Sequence, residues 1–217
     1  MHKRNRIILT LFLLLMLVAM AGCSNHDFAE QGTEILSASE AEALISQEGV
    51  VLVDAGSSDD FIKKGHIPGA VNILREAITI QVPVANMLAP AEQIEAVMQQ
   101  AGISNQDRIL IYDSNANMDA ARLWWTLKVY GHEQVQVISG GLAALVEGGL
   151  TTETAKTAIG ATSDYQISST NEEMIAKLSD VKSQLNKPQE NVILLDTRTQ
   201  EEYDAGTIPT SILVDYT

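Results

Sequence analysis

One stretch of this chain is written twice. "VVLVDAGSSDDFIKKGHIPGAVNI" at 50–73 returns as "VILLDTRTQEEYDAGTIPTSILV" at 192–214. Asp54 stands against Asp196, Asp60 against Glu202 and Phe61 against Tyr203, each 142 positions on. After a slip of one residue, Ile67-Pro68 stands against Ile208-Pro209 at 141. An acid closing an apolar run, an aromatic seven residues later and then Ile-Pro is an order chance does not repeat. The chain must therefore build one supersecondary unit two times.

The unit is an alternating one. "SASEAEALISQEG" carries the Ser37/Glu40 spacing of a capping box, with Gly49 as its stop, and predicts a helix. "VVLVDAG" is an unbroken apolar run, the mark of a strand buried on both faces. A second helix is expected over "PAEQIEAVMQQAG", with Pro90 near its first position and Gly102 just past its end. Strand "RILIYD", helix "ARLWWTLKVYG" closed by Gly131 and strand "VQVIS" follow. The segment 148–168, rich in Thr, Ala and Gly, has no apolar period and reads as a linker. Then "SSTNEEMIAKLSDVKSQL" predicts a capped helix and "NVILLD" a buried strand. Strands alternating with helices give an α/β fold, a parallel sheet covered on both faces.

The N-terminus reads as an address. "MHKRNR" is basic, "IILTLFLLLMLVAMAG" is apolar, and the run is short for a membrane span, which needs roughly 20 residues. It ends in Met20-Ala21-Gly22-Cys23, which resembles the lipobox of bacterial lipoproteins. There the Cys is lipidated and becomes the new N-terminus, here Cys23. Acyl chains on Cys23 would hold the protein on the outer, extracytoplasmic side of the bacterial cell membrane. The alternative is cleavage after Ala19-x-Ala21 and release of a soluble protein. "SNHDFAEQGT" is expected as a tether. Cys23 is the sole cysteine, so no intrachain disulfide forms. The net charge is −14, and discounting the three bases of the first 22 residues leaves 28 acidic against 11 basic residues. Such a surface repels phosphate backbones and argues against nucleic acid as a partner.

The quoted repeat, with "APAEQIEAVMQQAGISNQDRILIYD" and "DAARLWWTLKVYGHEQVQVISGGL", resembles the rhodanese family, specifically its tandem two-domain sulfurtransferases. The resemblance spans about residues 34 to 217, and "GHIPGAVNI" followed by "ISGGL" is its most specific part. It implies a five-stranded parallel sheet with helices on both faces in each complete domain. It also implies sulfur transfer from thiosulfate or mercaptopyruvate to a thiol or cyanide, through a cysteine persulfide. The nucleophile of such enzymes opens the loop after the fourth strand, where backbone N–H groups and a helix N-terminus lower a thiol pKa. Here Asp113 stands at that position, in the segment "IYDSNANMDAARLWW" that resembles a non-catalytic N-terminal copy. The loop residues to watch are Asp113, Ser114, Asn115, Asp119 and Arg122. Carrying Asp113 over by the repeat offset of 141 places the second copy's nucleophile near 254, beyond Thr217. The expected organisation is therefore a signal peptide (1–22), a tether (23–33) and a rhodanese-like domain without Cys (34–148). A linker (149–168) and a truncated second copy (169–217) complete it.

The remaining residues are read structurally. Asp54 and Asp196 close strands and are expected to accept nearby backbone N–H groups. His66, Pro68 and Gly69 form a turn, as does Pro209 in the second copy. Arg198 faces the substrate anion in complete tandem enzymes, by the resemblance; the bland alternative is an ion pair with a neighbouring acid. Arg122 is expected to brace the loop. The Trp124-Trp125 pair should pack between sheet and neighbouring domain. No Cys/His/Asp spacing resembles a metal site, and no nucleotide-binding glycine pattern points to a cofactor. Two functions remain: a sulfurtransferase-family lipoprotein inactive in this chain, or a membrane-anchored, non-catalytic domain binding a small sulfur anion or a partner protein. An exported solute-binding protein fits the lipobox but not the repeat.

Overall fold

Apolar side chains on alternate positions of a strand point to opposite faces, so an uninterrupted apolar run needs a cover on each side. The computed structural model, which describes residues 34–155, 157 and 160–215, supplies both. The signal peptide, the tether with Cys23, and Thr217 lie outside the described residues. β2 (Val50–Asp54) and β6 (Arg108–Tyr112) pair in parallel along their whole length, Val50 opposite Arg108 and Asp54 opposite Tyr112. With β1 (Ile35–Leu36), β3 (Val71–Asn72) and β7 (Val135–Ile138) they make a five-stranded sheet of order β1-β7-β6-β2-β3. The β7–β6 and β2–β3 pairings are parallel too.

The alternation sorts neighbours into two cores. Val53, Ile109 and Ile111 join a cluster with Ile94 and Met98 of α3 (Ala91–Gln100) and Leu123 and Leu127 of α4 (Met118–Val129). Leu52, Leu110 and Tyr112 join the other, with Ala41 of α1 (Ala38–Ile45) and Leu142 and Leu145 of α5 (Gly141–Glu147). The capping box forms at α1, Glu40 N–H donating to Ser37 Oγ and Ser37 N–H to the Glu40 carboxylate. Pro90 sits at the N-cap of α3, one position earlier than expected, while Gly102 and Gly131 take positive φ just past α3 and α4.

Strand order reverses between β2 and β6, so their carboxyl ends open a crevice at the switch point, where open α/β sheets bind ligands. Two loops leave from there: 55–57, ahead of α2 (Ser58–Lys63), and 113–117, ahead of α4. A short antiparallel pair, β4 (Thr79–Ile80) and β5 (Met87–Leu88), lies between β3 and α3 in sequence.

The repeat holds element by element. α7 (Gln200–Ala205) stands 142 residues after α2, and both have a hydroxyl N-cap, Ser57 and Thr199. β8 (Leu195–Asp196) pairs in parallel with β9 (Ile212–Leu213), as the end of β2 does with β3. Two expectations fail here. "NVILLD" is a strand only at Leu195–Asp196, and Ile193 and Leu195 are 65% and 60% exposed. An apolar run buries only what its neighbours cover, and among the described residues β9 is the sole strand beside it. The single capped helix divides into a 3-10 turn at Glu172–Met174 and α6 (Leu178–Asn186). The Asp180 carboxylate accepts from Lys177 N–H and opens a second helix start.

The stretch read as a linker lies along the first copy. Glu153 and His66 exchange both backbone hydrogen bonds at 2.9 Å, Thr157 Oγ1 donates to Ala70 O, and Tyr165 is buried in the α3–α4 core.

Candidate functional site

Everything at the end of β6 is arranged around one carboxylate. Asp113 is 1% exposed, and its Oδ1 accepts from Asn115 N–H at 2.7 Å and Asn117 N–H at 2.8 Å. Its Oδ2 accepts from Asp119 N–H and Ala120 N–H, both at 2.8 Å. The last two donors belong to the first turn of α4, where orphan N–H groups and the helix dipole favour an anion. Ala116 and Asn117 take positive φ, which curls the chain so that its amides converge. Opposite, Leu142 N–H donates to Asp113 O, and the backbone comes so close that a Cβ on Gly141 would sit 2.3 Å from that oxygen. The "SGG" turn is glycine for this reason.

Other loop residues fix the cradle from outside. Asp119 accepts from Arg75 Nε at 2.6 Å and Asn115 Nδ2 at 3.3 Å, and Arg75 Nη2 reaches Met118 O. Ser114 Oγ donates to Asp60, itself paired with Lys64 at 2.9 Å. Arg122 turns away, donating to Asn86 O at 2.7 Å with its guanidinium 4.9 Å over Trp125. Burial, and then the charge of Arg75, hold the Arg122 guanidinium below its usual range. Its partner ring, Trp125, donates Nε1–H to Met174 O, just ahead of α6. Between the loop, α5 and the end of α2 lies a cleft of about 840 Å³, lined by Lys64, Asn117, Leu142, Val146, Glu147 and Thr152 among others.

Behind the cradle Asp54 is nearly fully buried and accepts from Gly56 N–H at 2.7 Å. Burial pushes its carboxyl up; bonds from Gly56 and the Tyr112 hydroxyl oppose this, and the nearby Asp113 charge adds to it. Burial likewise raises the Tyr112 phenol, which accepts from Ile67 N–H. His66 stacks on Phe61 at 3.5 Å and bonds Phe61 O through Nδ1, inside a turn that Pro68 and Gly69 (φ +83°) complete. In the second copy Asp196 holds Arg198 through two oxygens, 2.9 Å to Nε and 2.7 Å to Nη2. Arg198, and then the Thr207 hydroxyl, hold the Asp196 carboxyl far below its usual range. Pro209 sits in the equivalent turn, with Thr210 at φ +68° where the first copy has Gly69. Among the described residues no group of three or more His, Cys, Asp or Glu is placed to hold a metal, and no helix is long and apolar enough to cross a membrane.

Sequence reasoning placed the loop but missed Arg75, which lies 44 residues from its partner Asp119. It also missed that the four converging amides are spent on Asp113 itself; the only signal was an acid opening a loop that runs into a helix.

A family model described as "Rhodanese-like domain" matches residues 37–147. A Mycobacterium tuberculosis protein bearing the name of a thiosulfate sulfurtransferase is 33% identical over 107 residues, which are 49% of this chain and 38% of that protein. The 3-mercaptopyruvate sulfurtransferase of Escherichia coli is 36% identical over 80 residues, 36% of this chain and 28% of that protein. This chain thus spans well under half the length of these relatives. The crystal structure of a 3-mercaptopyruvate sulfotransferase from Escherichia coli superposes with a TM-score of 0.75 at 24% identity, covering 84% of this chain and 75% of that one. That likeness speaks for the fold.

Proposed function

Because this chain belongs to the rhodanese-like domain family, we propose that it serves sulfane-sulfur transfer with its first copy as a non-catalytic domain. In the chemistry the family resemblance implies, a thiolate attacks the outer sulfur of thiosulfate and the S–S bond breaks. Sulfite leaves with the bonding pair, and the persulfide later passes its outer sulfur to a thiol or cyanide. The position that would carry the thiolate is Asp113. A carboxylate whose two oxygens each accept two backbone N–H groups has its lone pairs occupied, so it attacks no sulfur. The filled cradle is the observation that carries the reading.

The basic start, the apolar run and Cys23 support the further proposal that the protein is lipid-anchored on the extracytoplasmic side of a bacterial membrane. Replacing Cys23 by Ser should abolish labelling by a radioactive fatty acid. A second reading, binding of a small sulfur anion or a partner protein without transfer, draws support from the cleft beside the loop. Thiocyanate formation from thiosulfate and cyanide separates the readings from catalysis. The exported chain is expected to add nothing to the uncatalysed rate. Turnover that survives Cys23→Ser would overturn the non-catalytic assignment.

A further inference from the structure

We propose that residues 160–168 are an acid-released strap, clamped on the first copy by the Tyr165–His132 contact and let go when His132 takes a second proton. Tyr165 is the one buried side chain in that stretch, 1% exposed, and His132 beneath it is 3% exposed. The rings face each other at 5.8 Å. His132 Nε2 lies 2.9 Å from Asp107 O, a carbonyl that only accepts, so Nε2 carries the hydrogen. Nδ1 is then the bare nitrogen, and the Tyr165 hydroxyl 3.3 Å away donates into it. A proton on Nδ1 converts that acceptor into a donor and strands the Tyr165 hydrogen in a buried site, which costs a polar group its partner.

The surroundings do not neutralise such a charge fully. The Asp107 carbonyl, the Asp107 charge, the Gln134 carbonyl and the Glu133 charge favour the protonated ring, but the Asp107 carboxylate accepts Ser104 N–H at 2.7 Å and Glu133 is paired with Lys128 at 2.9 Å. From α3, Glu95 bears on Tyr165 and accepts Ile167 N–H at 2.7 Å. Burial outweighs these attractions and holds His132 below the ordinary imidazole range. The sign follows: well above 6.5 both strap states hold a neutral ring, whereas below it the released state binds the proton and the docked state resists it. Acid therefore weakens docking. The other ties include hydrogen bonds from Gln99 Nε2 to Tyr165 O at 2.8 Å, from Ser163 N–H to Gln99 O at 3.2 Å and from Ser163 Oγ to Ile103 O, the Asn105–Gln166 pair at 2.8 and 3.0 Å, and Ile167 packed half-buried against the core. These ties do not depend on the ring's charge.

Hydrogen exchange followed by mass spectrometry on the full chain tests this, with protection corrected for the intrinsic pH dependence of exchange. Between about pH 7.5 and about pH 5, protection of 161–168 relative to β6 should fall about fivefold to tenfold, since a titration offset moves the equilibrium by up to ~10-fold per pH unit. His132→Gln keeps a donor for Asp107 O and cannot charge, so its response should be flat. Protection unaffected by pH, or an equal fall in His132→Gln, overturns the proposal. If that variant does not fold, Tyr165→Phe decides: it should already be loose at neutral pH, and unchanged neutral protection would sink the clamp.

Discussion

Replacing Asp113 by asparagine changes almost no volume and tests the cradle directly. The wild-type carboxylate accepts four backbone N–H groups at 2.7–2.8 Å, two on each oxygen. In Asp113→Asn one oxygen becomes an amide nitrogen, so two buried N–H donors meet a third donor, and the other two lose the charge on their acceptor. Each stranded donor costs about 1–3 kcal/mol, and each lost charge assistance roughly 1 kcal/mol, since bonds to charged groups run about twice as strong. Two of each come to about 4–8 kcal/mol, at or beyond the upper end for a single substitution. Urea denaturation followed through Trp124 and Trp125, both on the helix that opens at the cradle, reads it as a shift in midpoint at constant slope. Asp113→Ala should lose a comparable amount and regain part of it in formate, because a ligand at about 100 times its Kd restores about 2.7 kcal/mol. A variant within about 0.5 kcal/mol of wild type, the range of an ordinary surface change, would refute the reasoning.

Three further outcomes are expected. The raised Asp54 carboxyl makes wild-type stability fall as pH climbs from its ordinary range, 3.8, toward neutrality, the folded state holding the proton more tightly; Asp54→Asn should flatten that fall in thermal melts run between about pH 4 and 7. Thr210→Gly should raise local stability in the 207–213 turn by about 1 kcal/mol, the cost of a non-glycine residue in the left-handed region, seen as slower amide exchange there. Gly141→Ala should be worse than its φ of +55° alone implies, because the new carbon would fall 2.3 Å from Asp113 O; soluble yield and urea midpoint should both drop, by more than about 3 kcal/mol where it folds.

How far the sequence could be read depended on how local each interaction is. The capping box of α1 involves residues three apart and was legible in full. The two copies were legible because their spacing is a property of the chain alone, and α2 and α7 keep the offset to the residue. Burial of β8 was not legible, since Ile193 and Leu195 look as apolar as Val51 and Val53 but lack strands to lie between. Arg75 and Asp119 are neighbours only once β3 and α4 are placed. Tyr165 sat in a stretch with no apolar period, and a single aromatic anchor leaves none to detect. At the loop, the resemblance pointed to Asp113 as the nucleophile's position; which way its side chain points depended on the positive φ at Ala116 and Asn117.

A carboxylate tethered by its own backbone is an anion that dialysis cannot remove. At the effective concentration covalent attachment gives, it outcompetes any dissolved thiosulfate or sulfite a cell could accumulate. The first copy's loop should therefore keep one shape whether its surroundings are starved of sulfur or flooded with it, a fixed wall rather than a sensor.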